Sequence, residues 1–179
     1  VAAGGGPGRA PPSETAGPGA PERSAAAVGA APGPSDILAA NHGSARQARY
    51  GDVDAATFDH TLAVNLRAPF LLARRALPGM RERGFGRVLF ISSVAAFRGG
   101  VIGPDYASSK AGLHGLAHFL ASRVAADGVT VNVLAPGFVA TAMLPGDAQQ
   151  PAKTMPLGRV GSPEEVPDIA PPALRPGTT

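Results

Sequence analysis

Tyr106 and Lys110 stand four residues apart, a separation that on a helix puts both side chains on one face, one turn from each other. A free phenol titrates near pH 10. Bringing it to about 7 takes roughly 4 kcal/mol, which a lysine cation about 4 Å away in a partly shielded site supplies. A tyrosine tuned in this way exchanges protons at neutral pH. Taken alone, the spacing is more simply that of a surface pair. Ser93 changes that balance, because it ends the apolar run Val88-Leu89-Phe90-Ile91 and the segment from Val94 to Asp105 leads from it into the tyrosine's helix. Its hydroxyl is expected to face Tyr106, although a Ser92-Ser93 pair also suits a turn or a helix cap.

Residues so far apart in the chain meet only if the elements between them bring them together. Ile37-Leu38-Ala39-Ala40, closed by Asn41-His42-Gly43, reads as a buried strand entering a loop. Asp54 is a candidate cap for a helix with Phe58, Leu62, Leu66, Phe70 and Leu71 at helical spacing, running to about Arg83 and bent by Pro69 and Pro78. Gly86 to Ser92 holds a continuous apolar run of the kind found in parallel strands. A second long helix is expected from Pro104 to Asp127-Gly128, followed at once by the strand Val129 to Leu134. Strands alternating with long helices predict the α/β class and a doubly wound parallel sheet, incomplete at both ends. Ligands of such sheets sit beyond the carboxyl ends of the strands, where Asn41, Ser93 and Pro136-Gly137 all fall. Ser162-Pro163-Glu164-Glu165 is a helix start, but Pro167, Pro171, Pro172 and Pro176 preclude a long helix after it.

With 179 residues, 44% hydrophobic and 16% charged, one core and one domain are expected, over residues 36–166. Residues 1–35 are dominated by Gly, Pro and Ala and are expected to be disordered, and 167–179 reads as an irregular proline-rich tail. The net charge of +3 is spread along the chain, and Arg74, Arg75, Arg81 and Arg83 read as a solvated helix end; without interleaved aromatics they do not suggest nucleic acid. The chain has no cysteine, which excludes disulfides, thiolate zinc sites and thiol nucleophiles. No apolar run reaches the roughly 18 residues of a membrane helix, and the amino end lacks a basic-then-apolar signal pattern, so a cytoplasmic location is expected. His114 and His118 have a spacing that binds metals, but no third ligand is evident. They read as surface or subunit contacts, and no metal site is expected.

Several segments resemble the short-chain dehydrogenase/reductase family in order and spacing. Asp36 to Gly43 resembles its D-[IV]-L-V-N-N-A-G, Val64-Asn65-Leu66 its helix motif with a catalytic Asn, Ile91-Ser92-Ser93 its serine strand, and Tyr106 to Lys110 its Y-x-[AS]-[SA]-K. Asn132 to Thr141 resembles the N-x-[VI]-x-P-G-x-[VI]-x-T segment that holds nicotinamide, and Pro156 to Val166 the P-L-G-R-x-G-x-P-E-E-[VI] of the 3-oxoacyl-carrier-protein-reductase-like branch. The resemblance covers about Pro32 to Val166. It implies a Rossmann-like fold and NAD(P)-dependent hydride transfer between nicotinamide and a small ketone or alcohol. Tyr106 is the implied acid/base, Lys110 lowers its pKa and binds ribose, Ser93 bonds the substrate oxygen, and Asn65 holds a relay water. Asn41, Gly43, Tyr106, Lys110, Pro136, Gly137, Val139 and Thr141 are the implied cofactor contacts, NADPH is slightly favoured over NADH, and a homo-oligomer, dimer or tetramer, is implied through the two long helices.

The sequence also departs from the family pattern. Ala40 replaces the first Asn, His42 replaces the usual alanine, and the T-G-x-x-x-G-x-G phosphate turn with its strands is missing; Gly4-Gly5-Gly6-Pro7-Gly8 has no strand before it and no helix after it. A truncated or decayed member, inactive or serving as a non-catalytic partner, is therefore the alternative reading. Met143, Leu144 and Met155 suggest an apolar substrate wall.

Overall fold

The three apolar runs lie side by side. Strands β2 (Ile37–Ala40), β3 (Gly86–Ile91) and β4 (Val129–Leu134) pair in parallel, with Leu38 opposite Val88 and Val88 opposite Val131. The computed structural model describes residues 2–4, 35–141, 144, 153, 155–166 and 168. A short strand β1 (Ala2–Gly4) adds antiparallel to the outer edge of β2. Disorder over residues 1–35 is therefore not what is found at these three residues: the edge of β2 presents unpaired backbone groups, and a strand of small residues satisfies them. Residues 5–34, with the rest of the glycine run, lie outside the described residues, as does the tail apart from Asp168.

Side chains alternate across the sheet. Leu38, Ala40, Val88, Phe90, Val129 and Val131 point to one face, where they form a single core with residues of both long helices. Between β2 and β3 the chain forms α1 (Ala55–Leu62), one π turn (Ala63–Arg67) and α2 (Ala68–Glu82). Asp54 caps α1 as expected, its carboxylate accepting from the Thr57 amide at 2.8 Å. The irregularity falls ahead of Pro69 rather than at either proline. Proline has no amide hydrogen, so Pro69 cannot donate to the carbonyl four residues back, that of Asn65, and the helix widens there; the Ala68 amide reaches the Ala63 carbonyl instead.

Between β3 and β4 lie a short helix α3 (Ala95–Arg98), which the sequence pattern does not announce, and the long α4 (Pro104–Val124). A single tight turn (Ala125–Asp127) follows α4, and Gly128, at φ 73°, passes the chain directly into β4. Leu72, Ala73, Leu77 and Met80 of α2 and Leu113, Ala117 and Val124 of α4 pack on the same sheet face. The result is an α/β, Rossmann-like parallel sheet. Among the described residues no helix is long and apolar enough to cross a membrane.

Candidate active site

The carboxyl ends of β2, β3 and β4 open onto one cavity of about 520 Å³. The Ser92 amide bonds the Leu134 carbonyl at 2.7 Å and the Val94 amide bonds the Pro136 carbonyl at 3.0 Å, so the loops after β3 and β4 leave the sheet together. Asn41, Gly43, Tyr106, Lys110, Pro136, Gly137, Val139 and Thr141 all line this cavity, and so does Ser93. Ile102, Phe138, Leu144, Pro163 and Val166 add apolar walls. The last two arrive because residues around Gly161 pair with the β4 exit: Gly161 donates to the Phe138 carbonyl and its carbonyl accepts from Ala140, both at 2.9 Å. Arg159 grips Glu165 at 2.7 Å, and Glu165 also accepts from the Ser162 amide at 2.7 Å, a side-chain bond back to the residue at the expected helix start. Of the expected apolar wall, Leu144 lines the cavity, Met155 packs beside Gly137, and Met143 lies outside the described residues.

Ser93 and Tyr106 both line the cavity. Ser93 Oγ also accepts from the Ala95 amide at 3.2 Å, starting α3. Lys110 lines the same cavity. Its Nζ donates to the Ile91 carbonyl at 2.8 Å and lies 5.7 Å from the centroid of the tyrosine ring. Burial, the largest cause, pushes the Tyr106 phenol above its ordinary value, while the Ser93 hydroxyl pulls it down. Burial also lowers the Lys110 ammonium to about 8.

Asn65, in the π turn, is fully buried behind the cavity rather than in its wall. Its Oδ1 accepts from the Ser44 amide at 2.7 Å, and its Nδ2 donates to the Ser44 carbonyl at 2.9 Å and to Ser109 Oγ at 3.0 Å. The side-chain amide is thus spent on fastening the loop after β2 to α4. Gly43 closes this arrangement, since a Cβ there would lie 3.4 Å from Lys110 Nζ and 3.5 Å from Asn65 Oδ1. Sequence reasoning passed over Ser44 and Ser109, and also Thr61 and Asp105, which are hydrogen-bonded to each other at 2.6 Å. Ser109 stands inside the Tyr106-to-Lys110 motif, and that was the available signal for it.

The histidines separate. His118 is exposed, while His114 Nε2 lies 2.9 Å from Ser92 Oγ. Because Ser92 donates to the Lys110 carbonyl at 2.9 Å, its oxygen is left to accept from His114. Among the described residues no three metal-ligating side chains gather. His42 is held neutral: burial lowers it to about 4, and both ring nitrogens lack a hydrogen-bond partner.

A hydroxyl pair at the mouth of a parallel sheet, backed by a buried ammonium, is equipped to bond a carbonyl oxygen and exchange a proton with it. Residues 20–152 match the family described as short chain dehydrogenase. The chain is 37% identical over 138 residues to an acetoacetyl-CoA reductase of Cupriavidus necator and 39% identical over 138 residues to a 3-oxoacyl-[acyl-carrier-protein] reductase of Aquifex aeolicus. In both cases 75% of this chain covers 56% of the relative, so the chain spans little more than half their length. A solved 3-oxoacyl (acyl-carrier-protein) reductase of Agrobacterium tumefaciens with NADP bound superposes at a TM-score of 0.76 with 32% identity, covering 85% of this chain and 62% of that one. The chain belongs to the short-chain dehydrogenase/reductase family.

Proposed function

We propose that this chain reduces a 3-oxoacyl ketone to the hydroxyl, or runs the reverse oxidation, with a nicotinamide cofactor, NADPH ahead of NADH. The observation that carries this reading is that Ser93, Tyr106 and Lys110 line one cavity at the carboxyl ends of the parallel strands. The nicotinamide half of the cofactor suits the residues present. Gly43 leaves open the space a Cβ would fill beside Lys110, and that ammonium offers donors for ribose hydroxyls beyond the one it gives Ile91. Pro136, Gly137 and Thr141 form the opposite wall. When bound, the cofactor supplies the hydride.

The protein's own part is proton transfer and position. Ser93 orients the carbonyl oxygen of the substrate, and Tyr106, kept protonated by burial, donates the proton. Lys110, with its ammonium lowered to about 8, stays charged at neutral pH and stabilises negative charge developing nearby. The carbonyl of Asn65, whose ordinary helical donor would belong to Pro69, is the proposed holder of a relay water. The NADP-bound relative favours NADPH, and the apolar walls favour an acyl chain. Phe70 on α2 and Phe119 on α4 are exposed, which supports a second copy of the chain as partner; the cytoplasm is the proposed compartment.

The test is NADPH and NADH oxidation with acetoacetyl-CoA, alongside cofactor binding by fluorescence. Tyr106→Phe is expected to lose about a hundredfold or more in turnover while still binding cofactor. Equal turnover in the two proteins, or no binding of either cofactor by the parent, overturns the reading.

A further inference from the structure

Two buried side-chain hydrogen bonds join the helix of Asn65 to the helix of Tyr106. Thr61 Oγ1 donates to Asp105 Oδ2 at 2.6 Å, and Asn65 Nδ2 donates to Ser109 Oγ at 3.0 Å; each pair is separated by 44 residues. The step from 61 to 65 equals the step from 105 to 109, so these are successive rungs between two helical segments running in the same direction. All four side chains are buried, with Asp105 2% and Thr61 5% exposed.

The upper rung holds Asn65. The lower one is at Asp105, the residue immediately before Tyr106. Asp105 Oδ1 is buried without a partner, which is costly for a carboxylate and is offset in part by its place in the first turn of α4. Thr61 is then the side chain that anchors this carboxylate, and with it the start of α4. The bond joins the last turn of α1 to the first turn of α4, directly before Tyr106.

We propose that Thr61 and Asp105 are positioning residues, their bond fixing the start of α4 against α1 so that the Tyr106 hydroxyl is seated against Ser93. The proposal rests on Tyr106 being the acid/base.

The experiment uses the full chain with Tyr50→Phe, which leaves Tyr106 as its one tyrosine because the sequence has two. Phenolate absorbance is titrated in folded protein, and thermal melting and NADPH turnover with acetoacetyl-CoA are read beside it. Thr61→Val removes the rung at nearly constant volume. Its phenol is expected to titrate lower than the parent's, toward the ordinary value, as its seat loosens and water enters. Turnover is expected to fall roughly tenfold, with KM for NADPH within about twofold. Thr61→Ser keeps the donor and Asp105→Asn keeps an acceptor, and both are expected to restore parental titration and rate. A folded Thr61→Val whose phenol titrates with the parent overturns the proposal. Thr61→Ala gives the same reading if the valine variant does not fold. Failure of both to fold while Thr61→Ser folds also overturns it, since the bond then serves the fold alone. Absent turnover in the parent removes the reductase reading and leaves the titration to decide the rung; an unmoved titration with intact turnover removes the rung alone.

Discussion

Lys110→Met isolates the cost of holding an ammonium in this cavity wall. Lys110 is 5% exposed, and burial lowers its pKa from 10.5 to about 8. The unfolded chain therefore binds the proton more tightly than the folded one. The cost is fully present below pH 8 and disappears as pH rises through 10.5, so stability rises with pH across that window. At roughly 1.4 kcal/mol for each pKa unit, the full cost is about 3 kcal/mol, and about 2 kcal/mol of it is relieved between pH 7 and 9.5. Stopping at pH 9.5 keeps the Tyr106 phenol, which burial pushes up, protonated. Urea unfolding of the parent and of Lys110→Met, followed by circular dichroism at pH 7, 8, 9 and 9.5, measures the difference, in which the other titrating groups cancel. The parent is expected to gain about 2 kcal/mol on the variant across the series. Parallel curves, with the difference constant to within about 0.5 kcal/mol, would show that the ammonium is not desolvated and would refute the account of Lys110 as a buried charge.

His42 gives the mirror case on the acid side. Its folded pKa of about 4 lies below the ordinary 6.5, so the parent is expected to lose about 2 kcal/mol relative to His42→Gln between pH 7 and pH 5; the same unfolding series checks it, and no relative loss counts against a buried neutral ring. Gly128→Ala meets two obstacles, a left-handed φ of 73° and a Cβ that would lie 2.1 Å from the Gly84 carbonyl oxygen. A loss of about 3 kcal/mol or more is expected from the denaturation midpoint, and a loss under about 1 kcal/mol would mean that this turn is free to rearrange.

The sheet and the carboxyl-end loops were legible because each apolar run is short, continuous and punctuated. β4 begins and ends where Gly128 and the Pro136-Gly137 pair say it should, and the residues after the three strands converge on one cavity. The helix rungs were not legible. The buried stripe of α4 is Asp105, Tyr106, Ser109, Lys110, Leu113, Ala117 and Val124, with the spacing of a core face but with four polar residues in front. A search for apolar periodicity is silent over that half, though it is the half that carries the candidate chemistry. Nor does local propensity announce β1, since three small residues pair there only because a strand edge stands beside them.

The acceptor that Lys110 takes was not legible either, for a more general reason. Spacing on a helix fixes where a Cβ lies, and four methylenes then let the ammonium choose among acceptors within several ångströms. Here the choice was the Ile91 carbonyl at the end of β3, a backbone group with no sequence signature. Asn65 is the opposite case. Pro69 lacks the amide that a regular helix would bring to the carbonyl of residue 65, so the sequence itself required either a break or a widened turn at that point. Reading Pro69 as a missing donor rather than as a bend would have located the π turn (Ala63–Arg67) that carries Asn65.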